Sequence, residues 1–214
     1  MVEIWVTSED TGAYGKDLGI SIIDLLRAII KLLPKHVMLR IGMTNPPYIA
    51  EHINFMVDIL NHPQVFSFLH IPIQVTLILL FLIKFQSGSN AVLEHMQREY
   101  TVEDFSKISD FLLKYVKNLT LATDIICGYP SETGEDFDKT IELSEKYQFK
   151  MLNISQFYPR PGTAAFKMKL LPTKEVKSRS QRITKMFEEW DPYKKYLNTK
   201  HLVYYFPNSY ILIS

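Results

Sequence analysis

The 214-residue sequence predicts an α/β fold built from parallel strands. Short apolar, β-branched runs alternate with longer amphipathic segments, which is the pattern of repeated strand–helix–strand units. Hydrophobic residues make up 47% of the chain and charged residues 22%, so the chain can bury a substantial core. These observations leave two architectures open, a doubly wound sheet and a partial (β/α) barrel.

Five strands are predicted from their composition, over residues 2–7, 37–43, 65–73, 119–127 and 151–157. The third is apolar almost throughout, as expected of a strand that is covered on both faces. In both architectures the loops at the carboxyl ends of the strands carry the chemistry.

Helices are predicted between the strands, over 21–33, 50–60, 90–98, 102–116, 136–147 and 173–190. Ser21 with Asp24, and Thr101 with Asp104, have the spacing of capping boxes. The apolar stretch 75–83 is too short for a membrane-spanning helix, which needs about 20 residues. No signal-peptide pattern occurs at the front, so we expect no membrane segment and a cytoplasmic location.

The charge is unevenly distributed along the chain. Residues 1–166 carry a net charge of −5 and residues 167–214 a net charge of +6, which together give +1. A basic C-terminal part is typical of a protein with a polyanionic partner, but a solvated amphipathic helix explains it equally well. Cys127 is the single cysteine, which excludes a disulfide framework and any cluster held by three or four thiolates.

Two loops at strand ends carry candidate ligand groups. In the first, Gly128 ends a buried strand and permits close backbone approach to a ligand, and Glu132 lies near a helix N-terminus. The alternative is that the run Glu132 to Asp136 only caps the next helix. In the second, Arg160 lies between two prolines, which suits an anion or a carboxylate, and the alternative is a rigid surface turn.

Seven motifs occur in a fixed order along the chain. They are TSEDTGAYG at 7–15, LRIGMTNPP at 39–47, LHIPIQ at 69–74, QSGS at 86–89, REY at 98–100, TDIICGYPSET at 123–133 and FYPRPGT at 157–163. This series resembles the radical S-adenosylmethionine core of the tRNA methylthiotransferases, over about residues 2–74 and 86–170. It looks most similar to the eukaryotic and archaeal branch that acts on N6-threonylcarbamoyladenosine.

The resemblance implies a partial (β/α) barrel of the radical S-adenosylmethionine type that lacks its first strand and cluster loop. In the family, a [4Fe-4S] cluster binds S-adenosylmethionine, and the radical formed from it takes hydrogen from the adenine C2 carbon. A second cluster helps to deliver sulfur and a second S-adenosylmethionine supplies the methyl group. The product is a methylthio group on the adenosine 3′ to the anticodon, so the implied partner is tRNA. Full-length eukaryotic members can carry a C-terminal tail in the endoplasmic reticulum membrane.

The sequence departs from the family at the clusters. The family holds one cluster with a CxxxCxxC loop and the other with three cysteines of an N-terminal domain, whereas Cys127 here lies in a later strand. We therefore assign no catalytic residue and no metal ligand, and we expect this chain alone to be inactive. An apolar insert at 75–85 separates Gln74 from Ser87, which a truncated or spliced product, or an imperfect gene model, would explain. The alternative is a non-catalytic remnant that binds S-adenosylmethionine or a protein partner.

The resemblance also carries site residues onto this chain. Residues 1–166 would form the barrel, 167–200 a basic closing helix and linker, and 201–214 a tail unlike the family. Asp124 is expected to bond to backbone inside the barrel, and His70 to be a satisfied core histidine. Arg160 would face a nucleotide phosphate or the cofactor carboxylate, and Lys174 and Arg182 would meet phosphates of tRNA, which we expect to bind weakly. The implied cofactor contacts are Glu9, Gly12, Gln86 (or Gln74), Ser87, Gly128 and Glu132.

Overall fold

A computed structural model of the chain describes residues 2–71, 89–90, 100–159, 161–162 and 165–194. Strands and helices alternate in the order β1 (Glu3–Val6), α1 (Ile22–Leu32), β2 (Met38–Ile41), α2 (Pro46–Ala50), α3 (Ile53–Leu60), β3 (Phe68–His70), α4 (Val102–Tyr115), β4 (Thr120–Cys127), α5 (Gly134–Tyr147), β5 (Met151–Gln156) and α6 (Thr173–Trp190). Short 3-10 turns cover Thr11–Ala13, Lys16–Leu18 and Ala165–Lys167.

All the strands run parallel and neighbour one another in chain order. β1 pairs with β2, and β3, β4 and β5 pair in that order. A parallel bridge between Leu39 and Val65 joins the two groups, and the Thr44 N–H donates to the His70 carbonyl at 3.1 Å. The result is a parallel α/β sheet that forms an arc of a (β/α) barrel, as the sequence predicted.

The helices cover one face of this sheet. Leu39, Leu69 and Leu121 point from three strands into a core with Leu26 of α1 and Phe105 of α4. A second cluster joins the far part of β4 to α5 and α6 through Ile125, Cys127, Phe137, Ile141 and Ile183. Because side chains alternate along a strand, the intervening residues lie on the opposite face.

We call this opposite side of the sheet the open face. Its exposed or half-buried side chains are Trp5, Arg40, Phe68, His70, Asp124, Ile126, Met151, Asn153 and Ser155. The prediction that β3 is covered on both faces is therefore wrong, since only alternate residues such as Leu69 are fully buried. β3 is also shorter than predicted because the chain bends before it, where the Phe68 N–H donates to the Phe66 carbonyl at 2.7 Å.

The helix ends follow their sequence signals. Both predicted capping boxes form, with Asp24 bonded to Ser21 and Asp104 bonded to Thr101. The predicted helix at 50–60 is instead two helices, α2 and α3, which are interrupted before Ile53. Helix α2 begins at Pro46 because proline suits the first position of a helix. The insert at 75–85, the predicted helix at 90–98 beyond Asn90 and the tail at 201–214 lie outside the described residues.

Candidate cofactor and substrate site

The loops after β1 and β2 are joined by one carboxylate. Asp10 Oδ1 accepts a hydrogen bond from the Gly12 N–H at 3.0 Å and another from the Asn45 N–H at 3.3 Å. The Asn45 side-chain amide donates to Asp10 Oδ2. Thr11 donates from its hydroxyl to the Met43 carbonyl at 2.9 Å. These bonds hold the two strand ends together at the edge where the sequence predicted a ligand.

Gly12 lies where a side chain would not fit. A Cβ atom at this position would lie 2.5 Å from Thr44 Oγ1 and 2.6 Å from Tyr48 Cβ. The Thr44 hydroxyl and the Asn45 Oδ1 atom are buried and have no hydrogen-bond partner among the residues that the structure describes. A cleft of about 290 Å³ opens beside Gly12. Glu9, the other residue predicted in this loop, has an exposed side chain.

Gly128 turns the chain at the end of β4. Its φ angle of 87° lies in the left-handed region, and its N–H donates to Glu132 Oε2 at 2.9 Å. A Cβ atom there would lie 2.5 Å from Val176 Cγ2, so helix α6 packs directly on this glycine. Gly128 is therefore required for helix packing, and its predicted approach to a cofactor stays a prediction.

Glu132 forms a buried ion pair with helix α6. Its side chain is 1% exposed, and Arg179 Nη1 donates to Glu132 Oε2 at 2.5 Å and to the Glu132 carbonyl at 3.0 Å. The other guanidinium nitrogen donates to Glu175. Burial raises the pKa of Glu132 even though the Arg179 guanidinium and the Gly128 N–H oppose that rise. We call this arrangement of Glu132, Arg179 and Gly128 the clamp.

The alternative interpretation, that residues 132–136 cap the next helix, is confirmed for Thr133 and Asp136 but not for Glu132. Thr133 and Asp136 form the capping box at the start of α5, with both reciprocal bonds present. Glu132 instead faces inward because Arg179 of α6 lies within reach. Arg179 was not predicted as a partner, since nothing in the sequence indicates which residue of α6 lies over the loop after β4.

Asp124 lies on the open face between two other polar side chains. The Asn153 amide donates to Asp124 Oδ1 at 2.7 Å. His70 Nε2 lies 3.1 Å from Asp124 Oδ2, within ion-pair distance. The prediction that Asp124 bonds to backbone is thus wrong, because strand register places Asn153 directly beside it. His70 is only partly buried and faces this carboxylate.

Three strands thus contribute one residue each to what we call the polar row: His70 from β3, Asp124 from β4 and Asn153 from β5. Burial by itself would raise the pKa of Asp124, but the His70 and Asn153 contacts outweigh it and lower that pKa below its ordinary value. Asp124 is consequently a carboxylate at neutral pH. The alternation of polar and apolar residues in β5 indicates that Asn153 is exposed. Its pairing with Asp124 depends on the register of β4 and β5, which could not be predicted from the sequence.

Cys127 offers no metal site. It is buried, and burial, with a smaller contribution from the Glu132 charge, raises the pKa of its thiol to about 12. Across the part of the chain that the structure describes, no group of three or more His, Cys, Asp or Glu side chains could hold a metal ion. Within the same described ranges, no helix is long and apolar enough to cross a membrane.

The basic helix α6 is partly neutralised. Arg182 donates to Asp138 of α5 at 2.5 Å, and Lys185 Nζ lies 3.8 Å from Glu189. The charge of Arg179 is paired with Glu132 in the clamp. Lys174 and Lys177 have exposed side chains. Gln74, Gln86, Ser87 and Arg160, which the sequence also predicts as ligand contacts, lie outside the described residues.

The fold is that of a radical SAM barrel. Coproporphyrinogen III oxidase (HemN) from Escherichia coli, described as a radical SAM enzyme, superimposes with a TM-score of 0.58 at 16% identity, over 79% of this chain and 36% of that chain. At this identity the similarity concerns the fold alone.

Sequence comparison identifies the family. The threonylcarbamoyladenosine tRNA methylthiotransferases of Drosophila melanogaster and Homo sapiens are each 50% identical to the chain over 191 residues, which is 89% of this chain. A probable threonylcarbamoyladenosine tRNA methylthiotransferase of Pyrococcus horikoshii is 37% identical over 179 residues. No family model matches the chain. The chain is homologous to a part of the threonylcarbamoyladenosine tRNA methylthiotransferases.

The match covers only part of each relative. The aligned region is 32% of the Drosophila melanogaster protein, 31% of the human protein and 39% of the Pyrococcus horikoshii protein. The chain therefore spans about a third of the length of the curated relatives that it matches.

Proposed function

We propose that this chain is the barrel segment of a tRNA methylthiotransferase that adds a methylthio group at C2 of N6-threonylcarbamoyladenosine, 3′ to the anticodon, by radical S-adenosylmethionine chemistry. The observation that carries the proposal is the 50% identity over 191 residues to relatives with that name. The parallel β/α arrangement supports it, because such barrels bind ligands at the carboxyl ends of their strands. We propose a cytoplasmic location.

The residues of this chain do not fit a [4Fe-4S] cluster. Such a cluster takes three or four thiolates, and the only thiol here is buried with its pKa raised to about 12. Cluster chemistry in the proposed reaction would need ligands from outside this sequence. The same observation favours a second candidate function, a non-catalytic remnant that binds S-adenosylmethionine or a protein partner.

For S-adenosylmethionine we propose the loops after β1 and β4. When bound, this cofactor supplies the radical and the methyl group. Gly12 lines the cleft of about 290 Å³, and the exposed side chain of Glu9 is accessible to a charged group. Gly128 and Glu132 contribute through the clamp, which fixes the shape of the loop after β4. Gln86, Ser87 and Arg160 remain proposed contacts.

For tRNA we propose weak, salt-sensitive binding through the exposed face of α6. Lys174 and Lys177 are exposed there, whereas the positive charge of Arg182 is shared with Asp138. Phosphate contacts by a few lysines give affinity that falls steeply with salt and carries no sequence information.

A segment exchange tests the proposed function. The aligned part of the Drosophila melanogaster relative would be replaced by this chain, and tRNA nucleosides from cells that depend on the chimera would be analysed by mass spectrometry. We expect the methylthiolated nucleoside from the chimera and none from this chain alone. A matched chimera in which residues 75–85 are deleted separates a folding defect of the insert from loss of chemistry.

Two results would count against the proposal. A soluble chimera that forms no product, with or without 75–85, would favour the non-catalytic remnant. Methylthiolation by this chain alone, or stoichiometric iron and sulfide after anaerobic reconstitution, would show that the cluster argument is wrong.

A further inference from the structure

The polar row presents an oriented amide on the open face. Asn153 is exposed, and its Nδ2 atom donates to Asp124 Oδ1 at 2.7 Å. On the other side of the carboxylate, His70 Nε2 lies 3.1 Å from Oδ2. Both carboxylate oxygens are thus in contact with a nitrogen from a neighbouring strand.

The carboxylate determines which way the amide points. An ionised carboxylate only accepts hydrogen bonds, so the NH₂ group of Asn153 must face Asp124. Its Oδ1 atom and its second N–H are left for a ligand. Among the described residues, no other group hydrogen-bonds to the Asn153 side chain.

We propose that Asn153 reads an adenine base on the open face and that Asp124 is the positioning residue that orients it. Adenine offers an N6 donor beside a ring-nitrogen acceptor, and an asparagine amide matches this pair with one acceptor and one donor. Hypoxanthine and guanine have an oxygen in place of the N6 amine, which would meet Asn153 Oδ1 as a second acceptor. This inference rests on the proposed function, because adenine is common to S-adenosylmethionine and to the adenosine of tRNA.

The surroundings suit a flat base. Met151, two residues before Asn153, is 43% exposed, and Ile126, two residues after Asp124, is partly exposed. The register aligns Asp124 with Asn153 and Ile126 with Ser155, so these apolar side chains flank the amide on the same face. An apolar surface next to one oriented polar group is the usual composition of a small-molecule site.

The experiment compares adenosine with inosine, which differ at the group that Asn153 would read. The chain is titrated with each nucleoside while the side-chain amide resonance of Asn153 is followed by NMR and identified by its loss in Asn153→Ala. We expect adenosine to shift this resonance and inosine to bind about tenfold more weakly.

Two variants and a control distinguish recognition of the base by Asn153 from a general effect on the fold. Asn153→Ala should abolish the preference for adenosine over inosine. Asp124→Asn should reduce it to less than about twofold, because a neutral partner lets the amide turn either way. Asn54→Ala, which removes an exposed amide on α3, should leave the preference unchanged.

Equal affinity for the two nucleosides, a preference that survives in Asn153→Ala, or no binding of adenosine at its solubility limit would overturn the inference. Separate titrations with S-adenosylmethionine and with an anticodon stem-loop RNA show which source of adenine reaches Asn153. Because none of these measurements needs a cluster or turnover, the inference can fail while the segment exchange still yields product, and it can hold while that exchange fails.

Discussion

The pKa values of two carboxylates, Asp124 in β4 and Glu132 in the loop that follows it, are shifted in opposite directions. For both Asp124 and Glu132, burial is the largest influence and favours the protonated form. At Asp124 the contacts from His70 and Asn153 outweigh burial and lower the pKa, whereas at Glu132 burial outweighs Arg179 and the pKa is raised. The difference follows from position, since Asp124 lies on the open face and Glu132 lies beneath α6.

The comparison separates a surface that can receive a ligand from one that holds the fold together. Among the described residues, the Glu132 carboxylate hydrogen-bonds to the Gly128 N–H and to Arg179, and this side chain is 1% exposed. Asp124 is 20% exposed and orients an amide that is itself exposed. The clamp therefore stabilises the packing of α6, and the polar row is available for binding.

The largest expected effect is on the clamp. Arg179→Ala leaves the Glu132 carboxylate buried without its partner, and we expect a loss of about 3–5 kcal/mol in the free energy of unfolding, measured by urea denaturation. Adding Glu132→Gln to this variant should restore part of the loss. Glu175→Gln is the matched control, because its side chain is 43% exposed and the change should be under about 1 kcal/mol. A loss no larger than that of the control would contradict the clamp.

A somewhat smaller effect is expected at the glycine under α6. Gly128→Ala forces a side chain into a φ of 87° and against Val176, and should cost about 2–4 kcal/mol. Gly19→Ala is the control, since Gly19 has a φ of 68° with no atom within 4 Å of the added carbon, and should cost only about 1 kcal/mol. Thermal unfolding of both variants measures the difference. Equal losses would show that α6 does not press on Gly128.

The two carboxylates should respond oppositely to pH. The lowered pKa of Asp124 means that its contribution to stability is present above the ordinary carboxyl pKa and is lost as pH falls through the folded value. Wild type should exceed Asp124→Asn by about 1 kcal/mol at neutral pH, and the gap should close in acid. Glu132 has a raised pKa, so wild type should lose stability relative to Glu132→Gln as pH rises through that value. The stability difference between wild type and each variant is measured against pH by urea denaturation. If the two differences changed with pH in the same direction, the opposite pKa shifts of Asp124 and Glu132 would be contradicted.

The smallest effect on stability is expected on the exposed face of α6. Lys174→Ala with Lys177→Ala should change the unfolding free energy by less than about 0.5 kcal/mol. In RNA titrations, the slope of log affinity against log salt should become shallower by about two. Arg182→Ala should change the slope less, because Arg182 already contacts Asp138. A double-lysine variant with an unchanged slope would exclude this face as an RNA contact.

The periodic and capped elements of the fold could be predicted from the sequence. Helix α6 spans the predicted residues because Pro172 precedes it and its apolar positions repeat regularly, and the two capping boxes are local signals. The partners of Glu132 and Asp124 could not be predicted. Arg179 and Asn153 are distant in the chain, and their positions depend on helix packing and on strand register.

The most direct test follows both carboxylates in one titration. S-adenosylmethionine is added to the chain while the side-chain carboxyl carbons of Asp124 and Glu132 are recorded by NMR. If the open face receives the ligand and the clamp only supports it, the Asp124 signal shifts with the Asn153 amide and the Glu132 signal stays in place. A shift of Glu132 with Asp124 and Asn153 unchanged would contradict this account.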